Sequence, residues 1–484
     1  MSSAARITSQ CGWRPTLVPG VWVFCITLPP MSDRDNETTD LGRRFSADFV
    51  WGFAASAYQI EGAARQDGRG ASIWDTFSRQ PGAVVDGHTG DVACDHYHRY
   101  REDVRLMAEL GATAYRFSIS WPRVLPMGTG SVNQAGVDFY RRLVDELLSA
   151  GVEPTVNLFH WDLPQALQDR GGFANPDVVG WFTDYAELMA DRLGDTVTDW
   201  MTFNEPAVYA FLAHADGIHA PGLRHWPTAM RVADNQLRAH AASVEAIRSA
   251  VPAARIGVAV DLNHVVPATD SDRDRIAADR YRAARDTWFL DPLFGRGYPA
   301  LGLDAHLAAG HLEGVELSDP PPGRLDYVGL NYYRQESVKA DSERPFDWHL
   351  TSPPDAELTD MEWEVVPDGL LQSLLWVDRD YSPPEIIISE NGAAYVDRVE
   401  ADGQVRDAHR QRYLERHVAK AADAIDRGVP LVGYFAWSLL DNFEWAFGYT
   451  KRFGLVHVDF ATQQRTVKQS GHWYSSLISA TRGS

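Results

Sequence analysis

EPTVNLFHWDLPQALQDRGGFANPDVVGWFTDYAELMADRLGDTVTDWMTFNE, residues 153–205, decides the fold. It opens with an apolar run, 153–160, that stops on His160, and closes with a second, 199–205, that stops on Asn204 and Glu205. Between them, residues 178–193 carry apolar side chains at helical spacing, and Gly194 follows as the left-handed terminator such a helix calls for. Strand, helix and strand joined in this way form one parallel βα unit.

The same grammar repeats on both sides. Further apolar runs occupy 50–56 (VWGFAAS), 114–121 (AYRFSISW), 255–263 (RIGVAVDLN), 327–333 (YVGLNYY), 385–391 (EIIISEN) and 431–440 (LVGYFAWSLL). Helical periodicity covers 100–110, 137–150, 229–249 and 411–427, with Gly111, Gly151 and Gly428 as further terminators. Open doubly wound sheets of this size usually carry a glycine-rich nucleotide loop, and none is present. Eight parallel strands buried on both faces therefore indicate an α/β fold, a single closed (β/α)8 TIM barrel with long loops at the C-terminal ends of its strands.

We assign residues 42–484 to this one catalytic barrel and residues 1–41 to an N-terminal extension, expected to be disordered. The apolar segment 17–28 (LVPGVWVFCITL) is shorter than the roughly 20 residues a bilayer demands and contains Pro19 and Gly20. Met31, followed by the polar run SDRDNETTD, reads as the natural start; a secretory signal is the alternative.

Composition narrows the function. Of 484 residues, 45% are hydrophobic, ample for a large core. The 66 acidic and 45 basic residues give a formal charge of −21, which repels phosphate backbones and anionic lipids and argues against nucleic-acid or membrane partners. The cysteines Cys11, Cys25 and Cys94 are odd in number and irregularly spaced, pointing away from a disulfide framework and toward a reducing, cytoplasmic setting.

The strands finish on polar residues: His160, Asn204 with Glu205, Asn263 with His264, Asn331 with Tyr333, Glu390 with Asn391, and Trp437. In a barrel those ends surround one cavity, the place where catalysis occurs. Glu205 in TFNEP and Glu390 in ISENG each stand beside an Asn. Two carboxyls on one cavity can cleave an acetal, one protonating the departing oxygen while the other meets the positive charge at the anomeric carbon. Gln59, His160, Asn204 and Glu444 offer partners for hydroxyls, and Trp437 and Trp445 offer ring faces for C–H bonds. Sixteen Trp occur in all, of which Trp74, Trp200 and Trp288 are expected to be packing residues.

These stretches, with YQIEG, HWDLPQAL, HAPG and YFAWSLLDNFEWAFGYTKRFGLVHVD, strongly resemble glycoside hydrolase family 1 from about residue 45 to residue 474. The resemblance implies a retaining β-glucosidase without metal or cofactor, acting on small β-glucosides and short oligosaccharides, with β-galactosides and β-fucosides as further substrates. It implies Glu205 as acid/base and Glu390 as nucleophile. Asn204 would bind the sugar 2-hydroxyl; Gln59, His160, Trp161, Glu444 and Trp445 the others; and Trp437 would underlie the ring. Tyr333, Arg116 and Asn331 would contact or support the nucleophile. Retaining chemistry places the two carboxyls about 5 Å apart. Glu205 is retained where thioglucosidases carry Gln, and Glu444 with Trp445 where enzymes for phosphorylated sugars differ. Ser389 replaces the usual Thr of the nucleophile motif, and Ala213-His214 replaces Gly-Tyr near the site entrance. Residues 339–367 are expected to influence the choice of aglycone.

Rival readings fare worse. Cys94, His96 and His98 match no closed zinc spacing, no G-x-S-x-G elbow marks a serine hydrolase, and a non-catalytic sugar-binding barrel would typically lack one of the two carboxyls. A metal-dependent isomerase would need clustered acidic and His ligands at several strand ends, which the sequence does not present.

Overall fold

The computed structural model describes residues 33–483. All eight apolar runs become strands of one closed, all-parallel barrel: Val50–Ala54, Ala114–Ser118, Glu153–Phe159, Asp199–Asn204, Arg255–Asp261, Tyr327–Asn331, Ile386–Asn391 and Leu431–Trp437. Each pairs with its neighbours in sequence, and the last closes on the first, with Gly433 opposite Val50. Most strands stop sooner than the apolar runs, leaving His160, Glu205 and Tyr333 just past the last paired residue. Released from the ladder, these side chains lean over the barrel mouth.

Met201, Ala259, Tyr327, Ile387 and Phe435 fill the barrel interior beneath that mouth. Glycine makes this packing feasible, since a Cβ on Gly52 would lie 2.4 Å from the Phe435 ring and one on Gly257 2.5 Å from that of Tyr327. The larger core lies between strands and helices, where Trp74, Trp200 and Trp288 are fully buried, as expected. The helices include His96–Glu109, Gln134–Ser149, Val178–Leu193, Trp226–Ala250 and Ala408–Asp426. The first begins ahead of the expected residue 100 because His96 is buried and holds Asp103 across two turns at 2.8 Å.

Two expectations are revised. Gly111, Gly151 and Gly428 have φ of 83°, 74° and 90°, but Gly194 is right-handed at −69°. Its role is close approach, because a Cβ there would sit 2.0 Å from a Val251 methyl. The extension, expected to reach residue 41, is ordered in its last part, where Asp33–Gly42 forms a helix against the C-terminal helix Gln469–Thr481. Trp473 donates its indole N–H to Thr38 Oγ1 at 3.1 Å, and Leu41 packs on the main core, so tertiary contact orders a segment whose composition is polar. The remainder of the extension, with Cys11 and Cys25, lies outside the described residues.

Cys94 donates its thiol to the Asp441 carbonyl (3.0 Å), and His98 faces Asp95 and Gln66, so their polar atoms serve loop packing. A buried ionic network ties together the loops after the seventh and eighth strands. Arg410 pairs with Asp397 and Asp407, Lys468 with Asp397 and Asp441, and Arg452 with Asp441. The second of these loops carries Glu444 and Trp445 to the mouth. Among the described residues no helix is long and apolar enough to cross a membrane.

Candidate active site

At the C-terminal ends of the strands lies a cavity of about 330 Å³ whose walls include both Glu205 and Glu390. Glu205 follows the fourth strand with a left-handed backbone (φ 46°, ψ 66°) and caps the helix Pro206–His214, which begins on the residue best suited to a first turn, Pro206. The left-handed residue turns the chain sharply from strand to helix and leaves the carboxyl over the cavity. Trp161 (φ 73°) and Trp445 (φ 43°), also on the cavity wall, share this costly conformation, worth on the order of 1–3 kcal/mol apiece. Glu390 lies within the seventh strand at a register shift, opposite Asn331 of the sixth.

The two carboxyls have different partners. Arg116, fully buried on the second strand, donates from Nη1 to Glu390 Oε1, and the Tyr333 hydroxyl donates to Glu390 Oε2 at 2.6 Å. Glu205 Oε1 accepts from the Asn331 amide at 2.8 Å. Burial, the charge of Glu390 and that of Asp261 push the Glu205 carboxyl well above the usual range. Burial raises Glu390 as well, but Arg116, Tyr333 and Asn331 oppose it. Glu205 is therefore the group that keeps its proton, and Glu390 the one that ionises first.

Asn204 joins these partners. Its Oδ1 accepts from Arg116 Nη2 (2.5 Å) and Asn331 Nδ2 (3.1 Å), while its Nδ2 donates to His160 Nε2 (3.0 Å). Trp161 donates its indole N–H to the Asn204 carbonyl at 2.8 Å. Burial and the Arg116 charge hold His160 neutral. Since Nε2 accepts, its proton sits on Nδ1, which is buried and without a partner among the described residues. Glu444 Oε2 is likewise unpartnered, and burial together with Glu390 pushes that carboxyl up to about 8. A donor and an oxygen so placed suit a polyhydroxylated ligand. Trp437 lies roughly parallel to the His160 ring, and Trp445 rests on the buried Trp74 with centroids 4.6 Å apart.

Nine of the twelve residues singled out in the sequence line the cavity: His160, Trp161, Asn204, Glu205, Tyr333, Glu390, Trp437, Glu444 and Trp445. Arg116 and Asn331 stand directly behind the carboxyls, Asn331 with its amide aimed at Glu205. Gln59 differs. It is fully buried, accepts from Ser56 Oγ, and donates to Asn442 Oδ1 (3.1 Å) and the Phe443 carbonyl (2.9 Å), so it braces the loop that leads to Glu444.

Of the outer cavity, sequence reading named Asn263 and the segment 339–367 but missed the remaining residues. One wall is apolar, with Val208, Leu212, Ile218 and Phe447; another is polar, with Asp261, Asn263, Arg285 and Arg334, and Trp363 stands beneath the Arg334 guanidinium. Met361 and Trp363 come from the segment 339–367, which also holds the strand Trp348–Thr351, paired antiparallel with Gln335–Ala340.

Residues 41–483 match the family described as glycosyl hydrolase family 1. The chain belongs to glycosyl hydrolase family 1. This family 1 chain is 47% identical over 442 residues to beta-glucosidase A of Acetivibrio thermocellus, a match covering 90% of it and 98% of that relative. Beta-glucosidase A of Thermotoga maritima gives the same figures. Among solved structures, the family 1 β-glucosidase of Thermotoga maritima superposes with a TM-score of 0.86 at 45% identity, covering 91% of this chain and 98% of that one. The same enzyme has been solved with isofagomine lactam and with castanospermine.

Within this family 1 site, Ser389 has a definite task. Its hydroxyl donates to Asn331 Oδ1 at 2.6 Å, which fixes the amide so that Nδ2 faces Glu205. Ser389→Ala removes that donor and leaves a buried acceptor unpaired, costing about 1–3 kcal/mol. We expect kcat/KM on an aryl β-glucoside to fall roughly 5- to 100-fold, while Ser389→Thr stays within about twofold of the parent because it keeps the hydroxyl. Equal losses in both variants would deny the hydroxyl this role.

Proposed function

We propose that this family 1 hydrolase is a retaining β-glucosidase that removes terminal β-D-glucosyl residues from small β-glucosides and short oligosaccharides, accepting β-galactosides and β-fucosides as well. The observation that carries the reading is one side chain. Asn331 stands in register with Glu390 and hydrogen-bonds Glu205, so two carboxyls 185 residues apart in sequence share one cavity. Their unlike surroundings fit the two roles that acetal cleavage requires.

In the first half-reaction Glu390 attacks the anomeric carbon from one face while Glu205 gives its proton to the leaving oxygen. The C–O bond to the aglycone breaks as the bond to Glu390 Oε forms. Esterification then removes the charge of Glu390, Glu205 loses that source of its raised affinity for a proton, and it becomes a base. Water transfers a proton to Glu205 and its oxygen displaces Glu390, giving the sugar with its original configuration. His160, Asn204 and Glu444 would hold the hydroxyls, and Trp437 the ring. The whole described chain would act as one catalytic unit, and the odd, irregular cysteines support a cytoplasmic setting.

Stereochemistry tests the mechanism directly. Proton NMR of an aryl β-glucoside digest should show β-glucose first, with the α-anomer growing in only by mutarotation. Appearance of α-glucose as the initial product would overturn it.

A further inference from the structure

On the polar wall of the cavity the fifth strand ends at Asp261, two residues after Ala259, which faces the barrel interior. Alternation in a strand therefore turns Asp261 inward too. It is in register with Asn331, the residue that donates to Glu205, and the Glu205 N–H donates to the Ala259 carbonyl at 2.8 Å. Asp261 and the acid/base thus sit on adjoining strand ends over the same cavity. The Arg285 guanidinium, at the end of the helix Asp272–Arg285, donates from Nη2 to Asp261 Oδ2. Asp261 is buried and lines the cavity, and Arg285 holds it there.

We propose that Asp261, clamped by Arg285, is a positioning residue for Glu205: its fixed negative charge keeps the proton on the acid in the first half-reaction and strengthens the base in the second. This rests on the role proposed above for Glu205. The charge of Glu390 disappears when the glycosyl-enzyme forms, so its effect on Glu205 is present in one half-reaction only. Asp261 forms no bond to the sugar in either step, and its effect persists through both. No atoms or electrons are exchanged at Asp261; the proton moves from Glu205 to the leaving oxygen, then from water to Glu205.

The other groups around Glu205 do not substitute for it. Arg116 on the second strand opposes the effect, and Asn331 donates a hydrogen bond that favours the ionised acid. Glu390 acts only until it is esterified, His160 is neutral, Tyr333 is committed to Glu390, and Glu444 lies across the cavity on the loop after the eighth strand. Around Asp261 itself, burial, with Glu336 adding to it, raises the carboxyl above its ordinary value, and the Arg285 guanidinium bonded to it opposes that rise and favours the ionised form. Arg285 is also faced by Glu336, which is itself paired with Arg334 of the same wall at 2.7 Å, while burial pushes the Asp286 carboxyl and the Tyr281 hydroxyl toward their neutral forms.

The test compares pH profiles of kcat/KM on an aryl β-glucoside for the parent, Asp261→Asn and Asp261→Glu. Glu205 must be protonated for the first step, so activity is present below its pKa and is lost as pH rises through it. Removing the neighbouring charge lowers that pKa, and the alkaline limb of Asp261→Asn should move roughly 0.5–1 pH unit toward acid. Asp261→Glu, which keeps the charge, should leave the limb in place. With a 2,4-dinitrophenyl glucoside, where deglycosylation limits turnover, kcat of Asp261→Asn should drop roughly three- to tenfold as the base weakens.

A uniform loss at every pH with an unmoved limb would mark Asp261 as merely structural and overturn the proposal. The proposal also fails if neither Asp261→Asn nor Asp261→Ser folds while Asp261→Glu does. An inactive parent would instead refute the proposed glucosidase function, so the two failures are distinguishable.

Discussion

Replacing Glu390 by Ala should lower kcat/KM on an aryl β-glucoside by roughly 10⁴-fold or more, because in the proposed mechanism Glu390 is the group that forms the covalent bond to the anomeric carbon. The effect is chemical rather than structural. Arg116 keeps Asn204 as an acceptor at 2.5 Å, so the guanidinium retains a partner when the carboxylate is gone. It nevertheless loses its counter-charge in a fully buried position, and a drop in Tm is expected alongside the loss of activity. Glu390→Gln, which preserves shape and hydrogen bonding, separates these effects: it should melt closer to the parent and remain equally inactive. Activity within tenfold of the parent in either variant would remove Glu390 from the role of nucleophile.

Glu205→Ala should show a loss that depends on the leaving group. An aglycone that needs protonation should suffer by roughly 10²–10⁴ in kcat/KM, whereas a 2,4-dinitrophenyl aglycone leaves unaided and should suffer little in that ratio. With that substrate the second half-reaction becomes limiting, since water has lost its base, and a burst of dinitrophenol should precede a slow steady state. Azide needs no base. It should enter the cleared space, raise turnover several-fold and yield the β-glucosyl azide. If azide leaves the rate unchanged, or the loss is the same for good and poor leaving groups, Glu205 is not the acid/base.

Both roles depend on features that differ in how readily a sequence reveals them. The barrel was legible because each strand is apolar on both faces and ends on a polar residue, so the eight runs and the cavity they surround could be recognised together. The meeting of Glu205 and Glu390 on that cavity was legible for the same reason, as carboxyls closing apolar strands beside an Asn. Gln59 was not: its motif says nothing about Ser56, Asn442 and Phe443, whose packing commits all its polar atoms. At Gly194 the sequence suggests a left-handed cap because that is the commonest reason for glycine after a helix, whereas the deciding contact, Val251, lies on a later helical end. On the polar outer wall, Asp261 escaped notice because it sits inside an apolar run that continues to Asn263, and its partner Arg285 because it is one of many charged residues on a helix rich in them.

The helix at Asp33–Gly42 shows the complementary limit. Its residues have little apolar character of their own, and it is the facing helix, through Trp473, that makes a partner of it. A polar segment at a chain end is thus ordered by what it meets rather than by what it contains.

The chain of bonds from Ser389 through Asn331 to Asn204, and on to Arg116 and His160, crosses strands that are remote in sequence. Any one break releases the same rotation of two amides, so a second break has less left to disturb. Penalties within this group will accordingly be subadditive, and its members will tolerate exchange only in concert, as one heritable module rather than as independent positions.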